Sequence, residues 1–205
     1  MIIVGAKGFA KELLEVCHQL GRTADLVFFD NVSADLPEQL FGQFPILRSE
    51  QEVKAHFDKG DKTFALGLGQ PILRKQLTEL FESWGGELTS LISPKANIGN
   101  FGIEIGEGAT ILSNATITSS VKIGKGLLMY PNAVITHDCV VGDFVELSPG
   151  ATLLGNVTVG TSSQIGANST ILSGLTVGEG CLVGAGSVVT RNLAHCQTVK
   201  GVPAR

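Results

Sequence analysis

One histidine occupies a position suited to chemistry. His137 is the only histidine between Ile105 and Val189, and Asp138 follows it directly. Histidine suits general base catalysis because its unperturbed pKa lies close to neutral pH. The adjacent carboxylate could orient the ring or fix its tautomer. The residues alone leave two interpretations open, a catalytic histidine and an ordinary exposed one.

A glycine turn near the start of the chain is a second candidate site. The motif Gly5-x-x-Gly8-x-Ala10 joins an apolar strand to a helical pattern that runs from Phe9 to Leu20. Glycines let the backbone approach a phosphate, and the following helix N-terminus directs amides at an anion. The turn differs from GxGxxG, so it is a weak signal for a dinucleotide. A tight turn without a ligand is an equally open interpretation.

The elements around this turn predict a small parallel sheet. A second strand, Asp25 to Phe29, ends at Asp30, where an acidic residue often holds a ribose or a base in such folds. A further strand at residues 63–68 precedes a helix at 71–84. This order of strands and helices predicts a Rossmann-like α/β domain over residues 1–91.

The rest of the chain has a period of six residues. An aliphatic residue recurs at every sixth position from Ile105 to Val189, which is typical of a parallel β-helix built of hexapeptides. Each hexapeptide forms a short strand and a corner, and three of them close a triangular coil that buries its aliphatic column on the next coil. We expect this all-β solenoid over residues 92–190, followed by a C-terminal tail over residues 191–205.

Residues eighteen positions apart stack on neighbouring coils of such a solenoid. The column of His137 contains Ser119, Gly155 and Ser173, which are all small, so the imidazole is expected to stand at a corner beside an open shelf. Cys139 falls in the inward-facing column, where a thiol acts as a small apolar filler. We therefore do not expect Cys139 to be a nucleophile.

Composition argues against several classes of function. The 205 residues include 15 basic and 19 acidic side chains, which argues against nucleic acid or an anionic membrane surface as a partner. No apolar run reaches membrane-spanning length, no secretory leader opens the chain, and the four cysteines form no CxxC pair. We expect a cytoplasmic protein that is not bound to membranes.

Several motifs along the chain are together more specific than the repeat. In the N-terminal third they are Gly5-Ala6-Lys7-Gly8-Phe9-Ala10-Lys11-Glu12, Phe28-Phe29-Asp30-Asn31, and Ala65-Leu66-Gly67 followed by Leu73-Arg74-Lys75. In the solenoid they are the segments Ile135–Phe144, Leu147–Ala151 and Gly201–Ala204. A chain with these motifs resembles the hexapeptide-repeat sugar acetyltransferases grouped with the sialic acid O-acetyltransferases and the bacillosamine-type nucleotide-amino-sugar N-acetyltransferases. The resemblance implies a left-handed β-helix, a sense that the period itself does not give.

The resemblance also implies acetyl transfer from acetyl-CoA without a metal. In such enzymes the histidine that matches His137 is the general base, which takes a proton from a sugar amine or hydroxyl as that group attacks the thioester. Asp138 is its expected partner, and acetyl-CoA would lie between two solenoids of a homotrimer. By position, the residues that match cofactor contacts are Gly155, Ala167 and Ala185 along the pantetheine and Lys200 near the adenine end.

The N-terminal domain is where members of this family hold the nucleotide of a nucleotide-activated sugar. The residues that carry this role over are Gly5, Lys7, Gly8, Phe9, Asp30, Asn31 and Gly67. Two positions depart from the family, because Phe9 and Glu146 stand where relatives often have histidine. Glu146 can still hydrogen-bond an amine, so we count it among the substrate-binding candidates. Both departures bear on the identity of the acceptor.

The leading hypothesis is an acetyl-CoA-dependent acetyltransferase that modifies the amino group of a nucleotide-activated 4-amino-dideoxy sugar in glycan or polysaccharide biosynthesis. One alternative is O-acetylation of a sugar of the sialic acid type, and another is a non-catalytic solenoid that binds a nucleotide sugar. A hexapeptide-repeat carbonic anhydrase is rejected because it needs about three histidines around zinc, whereas the solenoid has one. The sequence does not choose between amine and hydroxyl acceptors, or between nucleotides.

Overall fold

The computed structural model describes all 205 residues, which form two compact units, Met1–Leu91 and Ile92–Arg205. The first unit contains all three helices, and the second consists of two-residue strands and the turns that connect them. None of the helices is both long and apolar enough to cross a lipid bilayer.

The first unit is a six-stranded sheet with three helices. The strands are β1 (Ile2–Val4), β2 (Val27–Phe29), β3 (Gln39–Leu40), β4 (Phe44–Leu47), β5 (Thr63–Leu66) and β6 (Glu87–Leu88), and the helices are α1 (Gly8–Gln19), α2 (Glu50–Phe57) and α3 (Pro71–Ser83). The strand order is β3-β4-β2-β1-β5-β6. All neighbours are parallel except β3 and β4. A central β1 with helices following β1, β4 and β5 is the arrangement of a Rossmann-like α/β domain.

Local sequence explains these elements. All residues of β1 and β2 are buried, as expected for parallel strands that are covered on both faces. Helix α1 buries one stripe that includes Leu13 and Val16. Helix α2 begins with a capping box between Ser49 and Glu52, and α3 begins with Pro71, whose missing N–H is not needed in the first turn.

The second unit is a solenoid of short parallel strands. Their bounds are β7 (Leu91–Ile92), β8 (Asn97–Ile98), β9 (Glu104–Ile105), β10 (Thr110–Ile111), β11 (Thr116–Ile117), β12 (Lys122–Ile123), β13 (Leu128–Met129), β14 (Val134–Ile135), β15 (Val140–Val141), β16 (Glu146–Leu147), β17 (Thr152–Leu153), β18 (Thr158–Val159), β19 (Gln164–Ile165), β20 (Thr170–Ile171), β21 (Thr176–Val177), β22 (Leu182–Val183), β23 (Val188–Val189) and β24 (Thr198–Val199). They form three sheets. We call these face 1 (β7, β10, β13, β16, β19, β22, β24), face 2 (β8, β11, β14, β17, β20, β23) and face 3 (β9, β12, β15, β18, β21).

Successive coils are in register along each face. Leu128 lies opposite Glu146, and Glu146 lies opposite Gln164, eighteen positions further on. The second residue of nearly every strand points inward, so the aliphatic column forms one continuous core. The first residue of each strand points outward, because side chains alternate along a strand.

The corners depend on residues in the left-handed backbone region. Besides glycines, the residues with positive φ at this position include Asn114, Asn132, Asn156 and Asn168. Asparagine tolerates this conformation better than most residues. The corners therefore turn the chain without interrupting the stack of strands.

The last fifteen residues add to the solenoid. Strand β24 pairs with β22 on face 1, with Thr198 opposite Leu182. Leu193, Val199 and Ala204 are buried and belong to the same core. This segment thus covers the C-terminal end of the aliphatic column.

Candidate functional site

His137 lies at a corner between faces 2 and 3. It follows β14 and shares a two-residue turn with Asp138, which has a φ of 60°. The Asp138 N–H donates to the carbonyl oxygen of Ser119 at 3.1 Å on the preceding coil. The corner is thus part of a hydrogen-bonded column, and its backbone holds the histidine at the edge of the solenoid.

Asp138 fixes the imidazole of His137. Nδ1 of His137 and Oδ2 of Asp138 are 2.7 Å apart, and 57% of the histidine side chain is exposed. A carboxylate can only accept a hydrogen bond, so the neutral ring carries its proton on Nδ1. The lone pair of Nε2 is therefore free to accept a proton from a substrate.

Gly155 supports the imidazole from the next coil. A Cβ atom placed on Gly155 would lie 2.4 Å from Cε1 and 2.6 Å from Nε2 of His137. The ring therefore rests directly over the Cα atom of Gly155. The N–H of Gly155 donates no hydrogen bond within the chain, whereas the neighbouring Asn156 N–H donates to the His137 carbonyl at 3.0 Å. Sequence reasoning assigned Gly155 to the cofactor and missed this supporting role, although the eighteen-residue spacing already put the two residues in one column.

Cys139 does not take part in this edge. Its side chain is completely buried, and Sγ donates to the Leu154 carbonyl at 3.3 Å. Burial raises the pKa of the thiol. Its inward position agrees with the sequence-based expectation of an apolar filler.

The other cofactor candidates lie on a different edge. Ala167 and Ala185 occupy the corners between faces 1 and 2, after β19 and β22. Lys200 follows β24 and lies next to Gly184, where an added Cβ would be 3.0 Å from the Cβ atom of Lys200. Within one chain, face 2 separates these residues from His137. Ala167 and Ala185 occupy the same position within the hexapeptide as His137. They are not a multiple of eighteen residues away from it, however, so they lie at a different corner of the coil.

Glu146 lies on face 1, on the first position of β16. It is only 4% exposed. Its Oε1 accepts a hydrogen bond from Nε2 of Gln164 at 3.1 Å, with Oγ of Ser148 at 3.4 Å, while Oε2 is buried without a partner. One chain therefore does not bring Glu146 and His137 to the same edge.

In the first unit, two glycines allow strand ends to approach closely. Gly5 has a φ of 102° and its N–H donates to the Phe29 carbonyl at 2.7 Å. The Gly67 N–H donates to the Val4 carbonyl at 2.7 Å, and a Cβ on Gly67 would lie 2.7 Å from Cγ2 of Ile3. A Cβ on Gly5 would meet the carbonyl oxygen of Gly67 at 2.8 Å. Both positions therefore require glycine.

The start of α1 adds a cation to the same end of the sheet. Gly8 is the first residue of α1 and Lys7 is its N-cap. Nζ of Lys7 lies 3.1 Å from a carboxylate oxygen of Asp35, and both side chains are exposed. Phe9 is half-buried. The N-terminus of α1 and the ammonium of Lys7 favour an anion here.

Asp30 and Asn31 follow β2, beside this turn. Oδ1 of Asp30 accepts from the N–H groups of Val32 at 3.1 Å and Ser33 at 2.9 Å, and Asn31 is exposed. The candidates of the first unit thus gather where the parallel strands β1, β2 and β5 end, which is the edge at which open α/β sheets bind ligands. No cluster of three or more His, Cys, Asp or Glu side chains has the geometry of a metal site.

Two protein families match parts of the chain. Residues 1–81 match the PglD N-terminal domain, and residues 156–191 match the bacterial transferase hexapeptide of six repeats. No curated protein sequence matches.

Solved structures match the chain over its whole length. The acetyltransferase domain of PglB from Neisseria gonorrhoeae, in complex with acetyl coenzyme A, has a TM-score of 0.88 and 28% identity, and the match covers 100% of this chain and 97% of that one. PerB from Caulobacter crescentus, in complex with CoA and GDP-perosamine, has a TM-score of 0.90 and 28% identity over 100% and 95% of the two chains. WeeI from Acinetobacter baumannii has a TM-score of 0.86 and 29% identity over 100% and 97%. With these matches, the fold is a Rossmann-like α/β domain followed by a left-handed parallel β-helix.

Proposed function

We propose that this chain, which belongs to the hexapeptide-repeat transferases with a PglD-type N-terminal domain, is an acetyl-CoA-dependent N-acetyltransferase for a nucleotide-activated amino sugar. The observation that carries the proposal is the His137–Asp138 pair on an open edge of the solenoid, with Nδ1 held at 2.7 Å and Nε2 free. Full-length similarity to an acetyltransferase with bound acetyl coenzyme A and to a perosamine N-acetyltransferase with bound CoA and GDP-perosamine supports it. A 4-amino-dideoxy sugar destined for a glycan or polysaccharide is the acceptor that we propose.

The chemistry follows from the pair and the amide beside it. The neutral amino group of the sugar attacks the thioester carbon, and Nε2 of His137 takes its proton as the N–C bond forms. The charge of Asp138 stabilises the resulting imidazolium. The free N–H of Gly155 is a donor for the oxyanion. When the C–S bond breaks, CoA leaves as a thiolate and recovers the proton from His137.

This route needs no acyl-enzyme intermediate. A thioester is already activated, and holding both substrates together supplies the proximity that the reaction requires. The buried thiol of Cys139 is consistent with direct transfer. Asp138 acts through His137, and His137 is the residue that touches the reacting atoms.

We propose that the active enzyme is a homotrimer whose solenoids pack through face 2. The outward side chains of face 2 are all uncharged: Asn97, Thr116, Val134, Thr152, Thr170 and Val188. Face 3, in contrast, carries the ion pair of Glu104 and Lys122. A second copy could bring the edge with Ala167, Ala185 and Lys200 towards the edge with His137 and Gly155, which one chain keeps apart, and acetyl-CoA would lie in that groove.

We divide the chain at about residue 91 into a nucleotide-binding domain and a transferase domain. The first unit supplies the nucleotide site in this proposal. The glycine turn and Lys7 suit the diphosphate, and the segment after β2 suits the nucleoside. The residues assigned to this site are Gly5, Lys7, Gly8, Phe9, Asp30, Asn31 and Gly67. Glu146 is assigned to the acceptor only in the assembled trimer, because it lies on face 1. Acetyl-CoA and nucleotide sugars are made in the cytoplasm, where we place the enzyme.

The test is release of free CoA thiol from acetyl-CoA against UDP-, GDP- and dTDP-linked 4-amino-4,6-dideoxy sugars and free sialic acid. We expect turnover on one nucleotide amino sugar and a loss of about 10²- to 10⁴-fold in kcat in His137→Ala. His195→Ala, which removes an exposed histidine at another corner of the solenoid, is the control and should keep its activity. Turnover only on sialic acid would change the assignment to O-acetylation. No turnover and no acetyl-CoA binding would favour a non-catalytic module.

A further inference from the structure

The segment after β2 has almost no backbone hydrogen bonds of its own. We call residues Asp30–Pro37 the β2 loop. Asp30 closes β2 by donating its N–H to the Leu47 carbonyl at 3.1 Å, and between Asn31 and Pro37 no backbone N–H or carbonyl forms a backbone–backbone hydrogen bond. Its conformation must therefore be set by side chains.

One side chain, that of Arg48, binds this loop at four points. Arg48 follows β4 directly and its guanidinium donates only to backbone carbonyl oxygens of the loop. The acceptors are Asp30 at 2.8 Å and Ser33 at 3.0 Å from Nη1, and Leu36 at 3.1 Å and Pro37 at 3.2 Å from Nη2. These contacts span the loop from its first residue to its last.

The remaining ties hold less of the loop. The Asp30 carboxylate accepts two N–H groups from the start of the loop only, and the Lys7–Asp35 ion pair is exposed on both sides, so it contributes little. The four hydrogen bonds of Arg48 come from a charged donor, which strengthens them, and they reach both ends of the loop. A guanidinium also presents its N–H groups in a rigid planar fork, which a lysine cannot reproduce. Arg48 is therefore the main determinant of the loop conformation.

The loop lies where the nucleotide is proposed to bind. It follows β2, which is paired with β1, and Asp35 reaches Lys7 at the glycine turn. Asn31 and Arg48 also line a cavity of about 400 Å³ at this loop. Because four N–H groups of Arg48 are engaged by carbonyls, its part is to shape the loop and not to bind an anion.

We propose that Arg48 is the positioning residue of the nucleotide site: it holds the β2 loop in the conformation that receives the nucleotide of the acceptor. This inference rests on the proposed function. According to this inference, the affinity for the acceptor depends on Arg48, which lies outside the glycine turn and outside the Asp30-Asn31 segment. Replacing Arg48 should therefore weaken acceptor binding without changing the acetyl-transfer chemistry at His137.

The first experiment compares steady-state kinetics of the full-length wild type with Arg48→Gln and Arg48→Lys. We expect the KM for the nucleotide amino sugar to rise about tenfold or more in Arg48→Gln, with a smaller rise in Arg48→Lys, which keeps the charge but not the fork. The KM for acetyl-CoA and kcat at saturating acceptor should stay within about twofold. Arg22→Gln removes an exposed guanidinium from the same unit and should behave as wild type.

The second experiment measures binding of UDP, GDP and dTDP by calorimetry, with circular dichroism as a check on folding. We expect Arg48→Gln to bind the preferred nucleotide about tenfold more weakly than wild type. Equal affinity of a folded Arg48→Gln and wild type would overturn the inference and leave the proposed function intact. A lower kcat, a higher KM for both substrates and a reduced folded fraction in Arg48→Gln would also overturn it, because together they indicate general destabilisation. If Arg48→Gln does not fold, Arg48→Lys decides by the same criteria. No nucleotide binding and no turnover by wild type would instead remove the proposed function, and this inference with it.

Discussion

At the scale of single residues, the pair His137–Asp138 depends on one unusual corner. The second residue of most corners is Asn, Ser or Gly with positive φ, and Asp138 is the only carboxylate at this position. In this conformation the side chain reaches back to the preceding residue, so Oδ2 meets Nδ1 at 2.7 Å. A carboxylate at this one corner thus places an acceptor on Nδ1 of His137 and leaves the lone pair of Nε2 free.

The first prediction concerns the tautomer of His137. In Asp138→Asn the side-chain amide no longer requires a proton on Nδ1, and it can donate to that nitrogen, which moves the proton to Nε2. We expect kcat to fall by about 10²-fold or more, with little change in the KM for acetyl-CoA. Ser162→Asp, which puts a carboxylate at the equivalent position of a corner between faces 3 and 1, serves as the control and should keep its activity. Unchanged kcat in Asp138→Asn would show that Asp138 does not set the tautomer.

The second prediction concerns Gly155. The backbone of Gly155 does not have positive φ, so Gly155→Ala adds no backbone strain, but its methyl group occupies the place of the imidazole ring. We expect kcat to fall about tenfold or more, because a misplaced base loses most of its effect. Steady-state kinetics checks this result, and Ser173→Ala, one coil further along the same column, should be neutral. A raised KM for acetyl-CoA with normal kcat would indicate a cofactor contact instead.

At the scale of elements, the solenoid and the sheet are stabilised differently. Each strand of the solenoid contributes one inward side chain to a common column, and each coil contacts only its neighbours. The first unit has a sheet with helices that bury apolar stripes, and it contains a histidine, His56, whose Nε2 is buried without a partner. We therefore expect core truncations to dominate stability in the solenoid and pH to affect the first unit.

The third prediction tests the aliphatic column. Leu153, on β17, is fully buried in the middle of the core. Leu153→Ala should lower the free energy of unfolding by about 2–5 kcal/mol, because it leaves a cavity that the rigid coils cannot close. Val140, on the outer side of β15, is 47% exposed, so Val140→Ala should change stability by less than about 0.5 kcal/mol. Urea unfolding followed by circular dichroism measures both, and equal effects would contradict the stacked core.

The fourth prediction concerns pH. His56 lies in the last turn of α2 with Nε2 buried and unpaired. Burial lowers the pKa of His56, and the charges of the Met1 ammonium and Lys59 act in the same direction. The folded state therefore keeps the ring neutral, whereas the unfolded chain takes up a proton below about pH 6.5. The contribution of His56 to the free energy of unfolding is therefore fully present above about pH 6.5. It is lost as the pH falls towards the lowered pKa that His56 has in the folded state.

The measurement is urea unfolding at pH 7.5, 6.5 and 5.5. Wild type should become less stable across this range, and His56→Gln should show a smaller change. His18→Gln, which removes an exposed histidine of α1, should keep the wild-type pH dependence. The same pH dependence in His56→Gln and wild type would exclude His56 as its source.

At the scale of the whole molecule, the acetyl-CoA site that we propose would be completed across face 2. His137 and Gly155 lie on one edge of face 2, and Ala167 and Ala185 lie on the other. In the proposed cyclic assembly each interface would pair one edge of face 2 with the opposite edge of the next copy, and the uncharged outward residues of face 2 suit burial in such an interface. The homotrimer and the composite acetyl-CoA site are thus one proposal.

The fifth prediction tests this assembly. Thr152→Arg places a charge in the middle of face 2 and should yield a monomer with a large loss of turnover, since a buried unpaired charge disfavours association. Thr158→Arg, the neighbouring strand position on face 3, should keep both the oligomer and the activity. Light scattering coupled to size exclusion gives the mass of each variant relative to the single chain. A fully active monomer would exclude a site shared between copies.

The sequence alone determined the hexapeptide repeat and its direct structural consequences. The six-residue period predicted the strands, the buried column and the corner position of His137, because every coil repeats the same local requirement for one inward aliphatic residue. The glycine turn and the strand that ends at Asp30 likewise followed from short-range patterns. The stacking of Gly155 under His137 needed only the additional fact that three hexapeptides close one coil.

Only the tertiary structure decided which of these residues meet. The contact of Asp138 with Nδ1 depends on a backbone angle, and the contact of Glu146 with Gln164 depends on the stacking of neighbouring coils. The four carbonyl contacts of Arg48 join residues 11 to 18 positions apart, and the close approach of Gly5 and Gly67 depends on two strands being adjacent in the sheet. A periodic pattern specifies a residue's own environment. The contact of Asp138 needs in addition a particular local backbone angle, and the contacts of Arg48, Gly5 and Gly67 depend on where the fold places distant segments of the chain.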